Sequence, residues 1–153
     1  MTSLRRISEA QRDVRELYLG GFFGQLVSGV VWLVAAAVGT WASPGAAMLA
    51  LWLGGCAIFP LTTLALRLSH RPAALPKGHP MSSLAMQIAF TVPIGMVLAL
   101  ALALDRPQWF FPACMLIVGA HYLPFAFLYG MRLFVVLAAV LVTCGLVIAV
   151  TRH

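Results

Sequence analysis

One titratable ring stands alone in an apolar run. The stretch "GAHYLPFAFLYGMRL", residues 119–133, sets His121 and Tyr122 just ahead of Pro124, with apolar residues on both sides. An imidazole can accept a proton, donate one, or ligate a metal. A dry environment favours its neutral form, and a neutral ring still needs a partner for its N–H. Gln25, Ser28, Gln87 and Thr91 are the polar side chains in the other apolar runs that can supply one, and no Asp or Glu lies in any of them. Three chemistries are open to His121: a structural hydrogen bond between helices, contact with a proton or ligand in transit, or a metal or haem site. The last has least support. There is one such histidine, and Cys56, Cys114 and Cys144 lack ligand spacing. H-E-x-x-H, Walker, Rossmann and G-x-S-x-G motifs are absent, as is a buried carboxylate pair for acid–base work. No catalytic residue, no resident cofactor and no metal are expected, so the chain does not read as an enzyme.

The elements that must position these groups follow from composition. Of 153 residues, 62% are hydrophobic and only 9% charged, and the mean hydropathy is +0.98. A soluble domain carries about 45–50% apolar and about 25% charged residues. So few charges cannot cover a water-facing surface, and long apolar stretches need lipid as their solvent. Five runs stand out: 18–41, 46–68, 81–104, 108–130 and 132–150. Each has about 19–24 residues, enough to cross about 30 Å of hydrocarbon. The expected fold is an all-α polytopic membrane bundle of five transmembrane helices in a lipid bilayer. "ASPG" (42–45) and "DRPQ" (105–108) each set a proline near a helix start, and Asp105 is the expected N-cap of the fourth span. "YGMR" (129–132) leaves so short a turn that a bent or re-entrant segment is the alternative there.

Residues 1–17 are the charge-rich part. Leu4, Ile7, Val14 and Leu17 share one helical face, while Arg5–Glu9 and Arg12–Glu16 are i,i+4 pairs. This reads either as an amphipathic helix on the cytoplasmic membrane surface or as an ordinary solvated helix. A cleaved signal peptide fits less well: the apolar core to Trp41 exceeds the usual h-region of about 7–15 residues. The net charge of +6 does not point to nucleic acid, because the cations sit at the ends of apolar runs. Arg5, Arg6, Arg12, Arg15, Arg67, Arg71, Lys77 and Arg132 fall on one side of the five spans, Arg106 and Arg152 on the other. That asymmetry puts the N-terminus in the cytoplasm and the C-terminus outside.

Within the spans, Pro60, Pro93 and Pro124 each remove an i→i−4 hydrogen bond. They mark kinks, which are frequent near transporter sites and common in membrane helices generally. Gly20, Gly24 and Ser28 form a small-residue stripe for close helix packing, within the molecule or between copies. "GCAIFPLTTLALRL" (55–68) parallels the 119–133 stretch. Gly55, Pro60 and Leu64 match Gly119, Pro124 and Leu128, and Arg67-Leu68 match Arg132-Leu133 after a one-residue shift. With Gln25 and Gln87 upstream, spans one–two and three–four read as a duplicated helical hairpin, or as coincidence in a low-diversity composition. His121 is not shared, since Ala57 holds its place in the first copy.

The runs "RELYLGGFFGQLVSGVVWL" (15–33) and "GAHYLPFAFLYGM" (119–131) resemble an uncharacterised family of small bacterial integral membrane proteins. The resemblance covers most of the chain. It implies a multi-span protein of a bacterial inner membrane, and it transfers no substrate, reaction or site residue. The leading functional expectation is a small transporter or channel-like protein with a polar site near Gln25, Gln87, Thr91, His121 and Tyr122, for a small molecule the sequence does not identify. The alternative is a non-catalytic scaffold that holds another membrane protein, another copy or anionic lipid.

Overall fold

The computed structural model describes residues 3–151, with side chains from Arg6 onward. Six helices account for nearly all of it: α1 (Ser3–Tyr18), α2 (Phe22–Trp41), α3 (Pro44–Leu68), α4 (Ser82–Asp105), α5 (Phe110–Tyr129) and α6 (Leu133–Thr151). The described residues form no strand. Five helical stretches are long and apolar enough to cross a membrane, the first running from α1 through a 3-10 turn at Leu19–Gly21 into α2. Large apolar side chains such as Leu33, Phe59, Leu98 and Leu104 are exposed, as expected of helices solvated by lipid. Leu4 and the Arg5–Glu9 pair lie outside the described side chains, whereas Arg12 and Glu16 pair at 3.7 Å.

The chain forms two compact units. One is Arg12–His79, in which α2 packs against α3. Ser43 starts α3: its hydroxyl accepts the Ala46 N–H at 3.1 Å, and Pro44 takes the first helical position. The hairpin closes tightly because Gly54 lies against Val31, where a Cβ would come within 2.5 Å of Val31 Cγ1. α3 ends in a Schellman turn. His70 takes the left-handed conformation (φ 55°), and Arg71 N–H reaches back to Leu66 O at 2.9 Å. The loop beyond is tied to α1 at three points: Arg71 Nη1 donates to Glu16 O at 2.8 Å, Tyr18 hydrogen-bonds the Leu75 backbone, and His79 Nε2 lies 3.7 Å from Asp13 Oδ2.

In the other unit α5 packs against both α4 and α6. Phe110, Cys114 and Phe134 are fully buried, and Ala99, Ala138 and Gly145 supply small surfaces between the helices. Gly95 lies against Ile117 so closely that a Cβ would overlap Ile117 Cγ2. Gly119 and Gly145 do the same for α5 against α6, meeting Val142 and Met115. The "YGMR" turn is two helix ends, not a re-entrant segment. Gly130 (φ 61°) closes α5 with Met131 N–H on Ala126 O, and α6 starts at Leu133. Gln11 Nε2 donates to Phe127 O at 2.6 Å, joining the Gly130 N–H on that carbonyl.

Three sequence expectations are corrected. Asp105 is the last residue of α4, not the cap of α5, which instead follows a 3-10 turn at Pro107–Trp109 with no side-chain cap. Gly20 and Gly21 adopt positive φ of 62° and 85° in the turn before α2, so Gly20, Gly24 and Ser28 share no continuous helical stripe. Arg67 and Leu68 end α3, whereas Arg132 precedes α6 and Leu133 begins it, so that pair does not occupy equivalent places.

Candidate functional site

The site is built where α4 and α5 cross. Thr91 is the tenth residue of α4 and His121 the twelfth of α5. Gly95 and Ile117, one turn along each helix, set how near the two backbones come. That approach brings Thr91 Oγ1 to 2.7 Å from His121 Nδ1. Thr91 Oγ1 also lies 2.8 Å from Ile88 O, the back-bond that a helical threonine makes to a preceding carbonyl.

These two distances fix the proton arrangement. A carbonyl oxygen only accepts, and a hydroxyl has one proton. At 2.8 Å that proton lies between Thr91 and Ile88, because two bare oxygens would repel at this distance. Thr91 Oγ1 can then only accept from its other neighbour, so His121 carries its proton on Nδ1. The tautomer follows from the network rather than from an observed hydrogen. It leaves Nε2 with an in-plane lone pair, an acceptor facing away from the Thr91 bond.

An aromatic group surrounds the ring. His121 stands 4.6 Å from Phe125 and 6.2 Å from Tyr122, centroid to centroid. Phe125, Tyr129 and Phe134 continue the cluster at 5.2–5.5 Å, with Tyr129 and Phe134 stacked. Tyr122 is buried and His121 half-buried, while Thr91 is exposed on α4. The polar pair therefore lies on the edge of the packed cluster, not inside it.

The other sequence candidates are placed as follows. Gln87 lies one turn before Thr91 on the same face of α4 and is exposed. Gln25 is the fourth residue of α2 and belongs to the other unit. Pro93 follows Thr91 by two residues and Pro124 follows His121 by three; both helices run through their prolines, as α3 does through Pro60. Each proline deprives the carbonyl four residues before it of its helical donor. A Cβ on Gly24 would stand 4.0 Å from Thr62 Cγ2 on α3, so Gly24 packs inside the α2–α3 hairpin.

Two arrangements had little sequence signal. The cluster of Phe125, Tyr129 and Phe134 could have been approached through the i,i+4 spacing of 121, 125 and 129. The buried pair of Cys114 Sγ and Met96 Sδ, 3.5 Å apart, could not, because methionine and cysteine are ordinary apolar filling in such helices. Among the described residues no three His, Cys, Asp or Glu side chains come together.

The fold and this site define a helical protein of apolar, membrane-length helices with a polar junction between α4 and α5. The chain matches the DUF7010 family of unknown function over residues 7–153, and it belongs to that family. No curated protein and no solved structure matches it.

Proposed function

We propose that the chain is a membrane-spanning protein that handles a small polar solute or a proton at His121, in the manner of a small transporter or channel. The observation that carries this reading is the Thr91–His121 bond with its fixed tautomer. With Nδ1–H given to Thr91, Nε2 remains as the acceptor of the neutral ring, and because His121 is half-buried at the edge of the cluster, a ligand bearing an N–H or O–H group would meet it there. Polar groups are costly at membrane depth and mark pathways when they occur. The two prolines just beyond Thr91 and His121 add backbone acceptors nearby. The arginine and lysine distribution supports a cytoplasmic N-terminus and an external C-terminus, and the resemblance to small bacterial membrane proteins is what suggests a bacterial inner membrane. The scaffold alternative draws on the Gly20–Gly24–Ser28 stripe, which the turn at Gly20 interrupts, and on the basic amphipathic N-terminal helix.

The test is water access. Cys56, Cys114 and Cys144 are replaced by alanine, and single cysteines are placed at His121, Gln87, Leu98 and Lys77. Vesicles holding each variant are treated with a charged methanethiosulfonate reagent. Positions 121 and 87 are expected to label, as the loop position 77 does, and the exposed apolar position 98 is expected to stay unlabelled. If position 121 is as unreactive as position 98, His121 is a dry structural residue and the proposal fails.

A further inference from the structure

An apolar groove of about 310 Å³ runs along the α2–α3 hairpin, between Leu26 and Val30 on one helix and Leu61, Leu64, Ala65 and Leu68 on the other. Every residue that lines it is aliphatic, and most are exposed on its open side. An apolar groove of this kind does not hold ordered water. On a helix pair long and apolar enough to cross a membrane, an acyl chain matches its wholly aliphatic lining. The α3 side extends about 10 Å, from Leu61 to Leu68. That is roughly a third of the hydrocarbon thickness, so the groove takes part of one chain and not a whole molecule.

The groove is not placed at random along the hairpin. It ends where α3 ends, and that end is cationic. Arg67 lies in the last turn of α3 and is exposed. The Schellman turn at His70 folds the chain back over the last turn of α3, so that Arg71 N–H sits 2.9 Å from Leu66 O, and that turn carries the groove residues Ala65 and Leu68. The Arg71 guanidinium donates to Glu16 O at the end of α1 at 2.8 Å, which occupies one N–H and leaves the others of its fork. Lys77 is exposed in the same loop. A guanidinium fork matches the geometry of a phosphate.

From the aliphatic groove and its arginine-bearing end we infer that the α2–α3 hairpin binds one anionic phospholipid, with an acyl chain along Leu26, Val30, Leu61 and Leu64 and the phosphate at Arg67 and Arg71. The chemistry is amphipathic in the same order as the ligand: hydrocarbon, then anion, along one helix pair. Neither feature alone would choose this occupant. A groove without cations takes any acyl chain, and cations without the groove attract the leaflet as a whole.

The experiment is native mass spectrometry of the purified protein in mild detergent, with phosphatidylglycerol and phosphatidylcholine of identical chains added in equal amounts. The wild type is expected to retain one phosphatidylglycerol in preference. Each arginine near the surface should contribute about fivefold. Arg67→Gln/Arg71→Gln should erase that preference while a bound lipid of either type persists. Ala65→Trp, which fills the groove, should remove the bound lipid of both types. Far-ultraviolet circular dichroism confirms helix content for each variant. Equal retention of the two lipids by the wild type would overturn the inference. So would preference surviving in the arginine variant, lipid surviving in Ala65→Trp, or displacement of phosphatidylglycerol by millimolar inorganic phosphate.

Discussion

Substituting Gly95 with alanine tests whether close approach of α4 and α5 makes the His121 site. In an unobstructed helix the change would stabilise by about 1 kcal/mol, because alanine has the higher helix propensity. Here the new methyl overlaps Ile117 Cγ2 and stands 3.2 Å from Cγ1, so the helices must separate. Overpacking of this kind costs about 1–3 kcal/mol. Separation also lengthens the Thr91–His121 bond one turn away, and an interhelical hydrogen bond in a membrane protein is worth about 0.6 kcal/mol on average. The net expectation is a loss of roughly 0.6–2.6 kcal/mol after the propensity gain. Ile117→Ala deletes both γ carbons and leaves Cβ at 3.4 Å, an ordinary contact. The double variant should therefore be more stable than the sum of its parts by roughly 1–3 kcal/mol. Unfolding by a denaturing detergent in mixed micelles gives these energies, and the ¹⁵N shifts of the His121 ring report the tautomer. Gly29→Ala is the control, since nothing lies within 4 Å of a Cβ there; it should be neutral or stabilising. If Gly95→Ala behaves as Gly29→Ala does, or if the two substitutions are additive, the contact does not set the helix spacing.

Two further stability measurements probe other joints in the same assay. Thr62 Oγ1 is buried without a hydrogen-bond partner, and an unsatisfied buried hydroxyl costs about 1–3 kcal/mol, so Thr62→Val should stabilise by about 1 kcal/mol; a loss of stability would mean the hydroxyl is satisfied. Gly130 holds φ at 61° between α5 and α6; Gly130→Ala should cost about 1 kcal/mol and Gly130→Asn less, whereas equal stability of the three would remove the argument for a left-handed cap.

What the sequence could and could not say divides along a physical line. Helix existence was legible because backbone in lipid is satisfied only in helices or closed barrels, and unbroken apolar runs of about 19–24 residues suit helices rather than barrel strands of about 9–11. The turns were legible where they use local chemistry, as at Ser43-Pro44, but not where two turn solutions compete. "DRPQ" offers Asp105 as a cap, yet Pro107 begins a 3-10 turn and α4 keeps the aspartate. Gly20 and Gly24 show the limit of spacing: four residues apart means one face only if the intervening backbone is helical, and the positive φ at Gly20 and Gly21 breaks that condition. The partner of His121 was legible only as one of four polar side chains. Choosing Thr91 required the pairing of α4 with α5 and the level at which they meet, and that level is set by Gly95 against Ile117. In the other hairpin the same device appears with its sides exchanged: the glycine is on the second helix, Gly54, and the β-branched residue on the first, Val31. Interchange of knob and hole conserves volume across the contact, which a residue-by-residue alignment of the two hairpins cannot register. A comparison of contacts, not of letters, is therefore the stronger probe of duplication in a sequence this poor in residue types, and Val31→Gly/Gly54→Val tests whether the contact tolerates the exchange: it should retain the hairpin far better than Gly54→Val alone.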